Sequence, residues 1–579
     1  MPIFQCIWPL FLLLAAGQQG KPAAAAAQPK PPLADSASAT FGIAGTVVDA
    51  ISGDPLSGAF VRVSAVTKPE DADVARTDDD GHFSFTALPA GKYRLFARKK
   101  GFEAQDYLQH GSFSSAVVTG PHSDTQNIVF ALQPEARITG QVVDEFMEPV
   151  REATVTLFRK DTLQGRLGTH FRITTQTNDE GSYHFNHLLA GTFFVMVSAQ
   201  PWFANHAPLP RTLSSDGHPA GPNADDEIRR DPVRDVVFPI TYFTGATDPA
   251  QATPIVLQPG DRQTADVRLT LEPALHLRLS NTGDDPNQWP QLRVTESAFD
   301  NFESNLFTSI EQVSPGVYEL SGLPPGQLNV YIDNTADKQG ASRLQQLDVT
   351  SNGVLSATDG VASAVVSGEA IMEGGFHPPR DTQIQLRGSA NQEWHWARLE
   401  PDGQFSFQYQ FMKPGKYTVE VANARGLTVS SLSATGATVD HNAITIAGSG
   451  EIHLKLMLSK GEDGVVRGAA LRDGKPAVGV MVALISKDAS DDAGPFRIDQ
   501  SDSDGSFELA SVRPGSYTAI ALADAWDFPW ATPGVLTPFL AHGESIDVAS
   551  GGHYYVQLKV QLVPPPPPPA DSNQEATRP

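Results

Sequence analysis

A cassette of the form Gly-x-aromatic-x-apolar-x-x-apolar-x-x-Gly-x-apolar recurs along this chain, and it constrains the fold more than any other feature. Copies with closely matched spacing read Gly81, Phe83, Phe85, Leu88, Gly91, Tyr93; Gly181, Tyr183, Phe185, Leu188, Gly191, Phe193; Gly316, Tyr318, Leu320, Leu323, Gly326, Leu328; and Gly505, Phe507, Leu509, Val512, Gly515, Tyr517. A further copy, Gly403, Phe405, Phe407, Met412, Gly415, Tyr417, keeps the order and carries two extra residues in its middle. Side chains two apart on a strand share a face, so each cassette sends an aromatic and a second apolar residue into a core, then reverses into a second strand. Each is expected to be a β-hairpin, with glycine supplying φ > 0 at both turns and Pro89, Pro325, Pro414 and Pro514 pre-setting the bend. Successive first glycines lie between 87 and 135 residues apart. That is the size of a small β-sandwich and too long for a solenoid repeat.

A second signature precedes the cassettes. Gly45-Thr46-Val47-Val48-Asp49 is followed by Asp54-Pro55-Leu56 and the alternating run Ala59-Phe60-Val61-Arg62-Val63. It returns as Gly140-Gln141-Val142-Val143-Asp144 with Glu148-Pro149-Val150, and as Gly468 with Asp473-Gly474-Lys475-Pro476. This succession of strand, Pro-containing turn, alternating strand, Asp-rich turn and hairpin resembles the carboxypeptidase regulatory-like domain. The resemblance implies a prealbumin-like sandwich, grouped with carbohydrate-binding-like folds, that serves as an accessory or adhesion module; in that family the peptidase site lies in a separate domain. Units one, two and five carry both signatures, whereas three and four carry the cassette without the Pro turn.

The expected fold is therefore all-β: a tandem array of about five prealbumin-like or immunoglobulin-like sandwiches. The expected boundaries are 1–27 for a signal peptide and leader, 28–40 for a linker, then sandwiches at 41–133, 137–272 with an inserted loop 200–237, 273–360, 361–460 and 461–563, and a disordered Pro-rich tail over 564–579. Ile3 to Ala16 is too short to span a bilayer and fits a secretory apolar region, with cleavage near Ala16 to Gln18 or near Ala27. Cys6, the single cysteine, lies inside that leader, so each sandwich must be held by its own core without disulfides. No later run has the apolar length of a membrane span. Short linkers imply units packed end to end as a stiff rod.

The formal charge of −24, from 66 acidic against 42 basic residues, argues against nucleic acid as a partner, since phosphate contacts need a basic stripe. No His-Glu-x-x-His, phosphate-cradling loop or Gly-x-Ser-x-Gly elbow occurs, so no catalytic residue and no cofactor are assigned. Two constellations remain. Trp394 and Trp396, two apart on a strand, and Trp526 and Trp530, in a loop after the last hairpin, are candidate platforms for a sugar ring; aromatics buried in a core or interface are the competing reading. Trp202 with Phe203, and Trp289, are lesser candidates. The Asp-rich turns raise a weak metal reading, calcium at Asp78, Asp80, Asp502 and Asp504. As EF-hand loops they fail, because position one is Arg76 or Gln500 and position twelve Ala87 or Ser511. Asp is also what a tight turn takes. Together these features indicate an exported, non-catalytic binding protein, periplasmic, cell-surface or extracellular. Polysaccharide at the cell envelope is the first partner class, and a spacer or protein-adhesion rod the alternative. A carboxypeptidase or other hydrolase is disfavoured.

Overall fold

The computed structural model describes residues 40–564, apart from 122, 164, 207–230, 281–290, 301, 315, 334–341, 389–393, 408–410, 425–426, 461–462, 488–496 and 533. The expected signal peptide, the Pro-rich tail beyond 564, Trp289 and the centre of the 200–237 insertion lie outside the described residues. What is described is all-β, with one four-residue α-helix, Thr537–Leu540.

In the first sandwich the strands are β1 (Phe41–Asp49), β2 (Phe60–Ala65), β3 (Lys68–Arg76), β4 (His82–Leu88), β5 (Gly91–Arg98), β6 (Gln105–Asp106), β7 (Val117–Thr119) and β8 (Ile128–Leu132). One sheet runs β4-β1-β8 and the other β3-β2-β5-β6, with β7 also on β5. The cassette is not the expected β-hairpin: β4 joins the first sheet and β5 the second, so its two strands do not pair and its tight turn crosses from layer to layer. The core between the sheets holds Ile43, Val47, Val61, Val63, Phe83, Phe85, Leu88, Leu95 and Phe130. In every unit the first strand lies between the cassette strand, antiparallel, and a late strand, parallel. Ala136–Val143, Leu275–Ser280, Ala364–Met372 and Gly464–Arg472 repeat the placement of β1.

The cassette spacing encodes a β-bulge. Inward residues at Gly+2 and Gly+4 fit a period of two, but the next apolar residue is at Gly+7, which an unbroken strand would turn outward. One extra residue restores the parity. Register slips at this place in the first, second, third and fifth sandwiches. The residue at Gly+6 takes left-handed backbone there: Ala87 at φ 62°, His187 at 57°, Gly322 at 80° and Ser511 at 54°. Consequently Phe83, Phe85 and Leu88 are all buried, while Thr86 and Ala87 between them are both exposed.

The first cassette glycines are left-handed as expected, for example Gly81 at φ 73° and Gly505 at 76°. The second divide: Gly191, Gly326 and Gly515 have the expected positive φ, at 156°, 135° and 158°, whereas Gly91 and Gly415 do not. A different demand explains the glycine of the upstream signature. A Cβ on Gly468 would run into the Val556 carbonyl of the parallel strand and sit 2.6 Å from the Phe507 ring. Gly468 is paired with that phenylalanine across the sheet, as Gly45 is with Phe83, Gly140 with Tyr183 and Gly368 with Phe405. The cassette aromatic lies over a bare backbone.

The end-to-end rod expected from the short linkers is not what forms, because sandwich five also contacts sandwiches one and two. Ser115 Oγ donates to Ser501 O at 2.8 Å, Ser503 N to Ala116 O at 2.9 Å, and Gln500 Nε2 to Leu108 O at 2.6 Å. Ala531 N donates to Gly165 O at 2.9 Å, and Thr162 Oγ1 to Asp527 O at 2.8 Å. Polar pairing of this kind ties together residues 365 to 392 positions apart.

Candidate binding surface

Strand Trp394–Arg398 is the outermost strand of one sheet of sandwich four, followed by Gln383–Gly388 and Gly415–Ala422. Alternation sends Ala397 and, just after the strand, Leu399 into the core, both 3% exposed, and turns Trp396 outward at 58% exposed. Register sets Gln385 opposite Trp396, and Glu420 opposite Gln385. Arg387 Nη2 donates to Glu420 Oε1 at 3.1 Å on the same face. An indole is thus presented on the outer face of a sheet beside a carboxamide and an ion pair, an apolar ring with hydrogen-bonding groups nearby. Trp394 is paired with Arg387, but its ring lies outside the described residues.

The other two tryptophans are placed differently. Strand Gly515–Ala523 is buried on both faces, and segment 525–540 covers its outer side over Met481, Ala483, Ile520 and Leu522. Trp526 and Trp530 are part of that cover. The Trp526 ring stacks on His110 of sandwich one, centroids 5.0 Å apart and 9° from parallel, touches Phe113 at 5.3 Å, and donates Nε1–H to Gly479 O at 3.1 Å. Trp530 lies so close to Gly165 of sandwich two that a Cβ there would overlap its ring. Both indoles have their faces against this chain. Their apolar bulk in a loop is accounted for by junctions whose partners lie hundreds of residues upstream. Trp202, 83% exposed and edge-on to Phe203, stands at the start of the insertion.

The Asp-rich turns divide in the same way. Asp78 Oδ1 accepts from Asp80 N at 3.1 Å and His82 N at 2.8 Å, closing its own turn. Asp504 Oδ1 accepts from Ser506 N at 2.9 Å. Asp502 is buried and turned toward sandwich one, where Oδ1 accepts from Ala116 N at 2.8 Å and Oδ2 pairs with Lys92. Burial pushes its carboxyl up in pKa while Lys92 holds it down. Among the described residues no group of three or more His, Cys, Asp and Glu is placed to hold a metal ion.

Sequence reasoning missed a buried polar network where sandwiches two and three meet. His206 Nδ1 lies 3.0 Å from Asp235 Oδ1, and His276 Nε2 2.8 Å from Asp235 Oδ2; Glu319, 2% exposed, is 3.9 Å from His276 and 3.3 Å from Arg278 Nε. Its members come from both flanks of the insertion, from the first strand of sandwich three and from its cassette. Scattered histidines with no ligand spacing gave no signal. Beside the network Phe158, Met196, Ile240 and Tyr242 of sandwich two pack against Phe299 and Phe302 of sandwich three.

Among known proteins, solved structures with similar folds include the Bacillus anthracis TIE protein, at 9% identity over 90% of this chain and 74% of that one with a TM-score of 0.16. A Streptococcal ancillary pilin matches at 11% identity over 49% of this chain and 98% of that one, TM-score 0.19. Shaft pilin SpaA from Lactobacillus rhamnosus GG matches at 11% over 41% and 98%, TM-score 0.18. No curated protein matches the sequence. Residues 42–133 match the family model of the carboxypeptidase regulatory-like domain. The chain thus resembles carboxypeptidase regulatory-like domain proteins, with the family model matched at its first sandwich and the same β-sandwich plan carried in tandem behind it.

Proposed function

We propose that this is an exported, non-catalytic binding protein of the cell envelope whose ligand is a polysaccharide, taken up on the outer sheet face of sandwich four at Trp396. The carrying observation is that Trp396 is turned to solvent on the outer face of its strand, beside Gln385 and the Arg387–Glu420 pair, whereas Trp526 and Trp530 are packed into junctions. Stacking of a sugar C–H face on an indole supplies affinity, and the carboxamide supplies orientation. The carboxypeptidase regulatory-like match at 42–133 supports an accessory, non-catalytic role, and no helix among the described residues is long and apolar enough to cross a membrane. The alternative of a protein-adhesion module draws support from the exposed Trp202–Phe203 pair.

The test is affinity electrophoresis of the full chain through gels containing a panel of soluble polysaccharides, with Trp396→Ala and Trp526→Ala in parallel. Retardation that Trp396→Ala removes and Trp526→Ala retains is the expected result. No retardation by any polysaccharide overturns the reading and turns attention to protein partners.

A further inference from the structure

The cleft between sandwiches four and five lies at the end of the strand that backs Trp396. It is open to solvent, has a volume of about 860 Å³, and its lining includes Asp381, Gln383 and Asn423 from sandwich four and Asp463, Arg497 and Arg513 from sandwich five. Neither sandwich alone contains it. Gln383 and Gln385 lie on one strand and alternate to the same face, with Gln385 opposite Trp396 and Gln383 opposite Arg398. Two residues of strand span about 7 Å, which is the separation along the strand between Gln383 at the cleft and Gln385 beside the indole.

The lining is built and charge-balanced. Arg497 Nη2 donates to Ser511 O at 2.8 Å and Nε to Ala510 O at 3.3 Å, so the carbonyls of the fifth cassette's bulge hold the guanidinium in place. Burial, and then Arg513 beside it, lower its pKa, with Asp463 opposing. Two carboxylates and two guanidiniums cancel in formal charge, as Arg387 and Glu420 do on the adjoining face. A cleft meant for a polyanion carries excess positive charge, and this one belongs to a chain with a formal charge of −24. What planar carboxylate, carboxamide and guanidinium groups share is paired donors or acceptors at a fixed spacing, which suits two adjacent hydroxyls.

Resting on the polysaccharide reading above, we infer that the cleft between sandwiches four and five is a second subsite of the same binding surface, and that the ligand is an uncharged glycan bearing vicinal hydroxyls that runs from Trp396 into the cleft. The length of the ligand then matters. A monosaccharide covers the indole alone, whereas a longer oligosaccharide reaches both.

Isothermal titration of the full chain uses a neutral glucan oligosaccharide series from one to six units, an oligogalacturonate and a chitosan oligomer, with wild type, Gln383→Ala, Arg513→Ala and Trp396→Ala. Affinity for the neutral series should rise with length, stay constant between 50 and 500 mM salt, and fall about tenfold in Gln383→Ala and Arg513→Ala for the longest members only. Gln383→Ala, at a half-buried position on the rim of the cleft, guards against a folding artefact of the arginine change. Tighter, salt-sensitive binding of either charged oligomer overturns the inference, as does Trp396-dependent binding of the neutral series that neither cleft substitution weakens; in both cases the polysaccharide reading survives. If no member of any series binds, that reading falls and this inference with it.

Discussion

Replacing Asp502 tests whether sandwiches one and five are fastened as the geometry indicates. In Asp502→Ala the Ala116 N–H, buried at the junction, loses its carboxylate acceptor at 2.8 Å, which costs about 1–3 kcal/mol for a buried donor left unsatisfied. The ion pair to Lys92 adds under about 1 kcal/mol, because the lysine side chain is 38% exposed and solvent screens it. Relief of the burial of the carboxylate offsets part of this. The junction should weaken by about 2–3 kcal/mol, roughly 30- to 150-fold in its opening equilibrium. Asp502→Asn keeps an oxygen for Ala116 and loses only the ion pair, so it should cost under about 1 kcal/mol. The junction can open while each sandwich stays folded, so a melt, which follows the sandwiches themselves, is the wrong readout for it. Amide hydrogen exchange at Ala116 and Val118, whose N–H groups donate to Asp502 and Ser503, reports this junction directly. Exchange in Asp502→Ala within threefold of wild type, or an asparagine variant as fast as the alanine one, would refute the reasoning.

Glu296, half-buried near the junction of sandwiches two and three, has its carboxyl pushed up to about 7 by burial. A folded pKa above the unfolded 4.5 means that its share of stability is complete below pH 4.5 and lost as pH rises through 7. Glu296→Gln should therefore match wild type at pH 4 and exceed it by about 2–3 kcal/mol at pH 8, read as a raised melting midpoint. Tyr242 is fully buried, and its hydroxyl has no hydrogen-bond partner among the described residues, so Tyr242→Phe should be neutral or stabilising by up to about 1 kcal/mol in the same melt. Gly140→Ala should cost about 2–3 kcal/mol, because its Cβ would meet the Ala265 carbonyl and, at 2.7 Å, the Tyr183 hydroxyl; a variant as stable as wild type would contradict the close approach of those strands.

The sandwiches were legible because a period of two and a repeated turn are local properties of a sequence. Phe83, Phe85 and Leu88 disclosed the inward face, and their spacing also contains the bulge between them. The bulge was still overlooked, since Ala87, His187 and Ser511 adopt left-handed backbone without being the residues that advertise it. The glycine of the upstream signature was visible as a repeat, but its reason lies in the Phe507 ring and the Val556 carbonyl, which only the folded sheet brings near. Junctions were illegible for a related reason. Lys92 and Asp502 are 410 residues apart, and nothing near Trp526 announces that His110 lies against it. An aromatic in a loop and an acid in a turn read as ligand groups until their partners are known. For Trp396 the sequence left both readings open, and it is the burial of Ala397 and Leu399 in the folded strand that turns it outward.

Sugar stacking on Trp396, as proposed, would leave the junction tryptophans alone. The most direct measurement labels the full chain with 5-fluorotryptophan, assigns the 19F resonances with Trp396→Ala, Trp526→Ala and Trp530→Ala, and titrates in a polysaccharide that retards the protein. The Trp396 resonance should shift with saturation while those of Trp526 and Trp530 stay in place. A shift confined to Trp526 or Trp530, with Trp396 unmoved, would contradict the proposal.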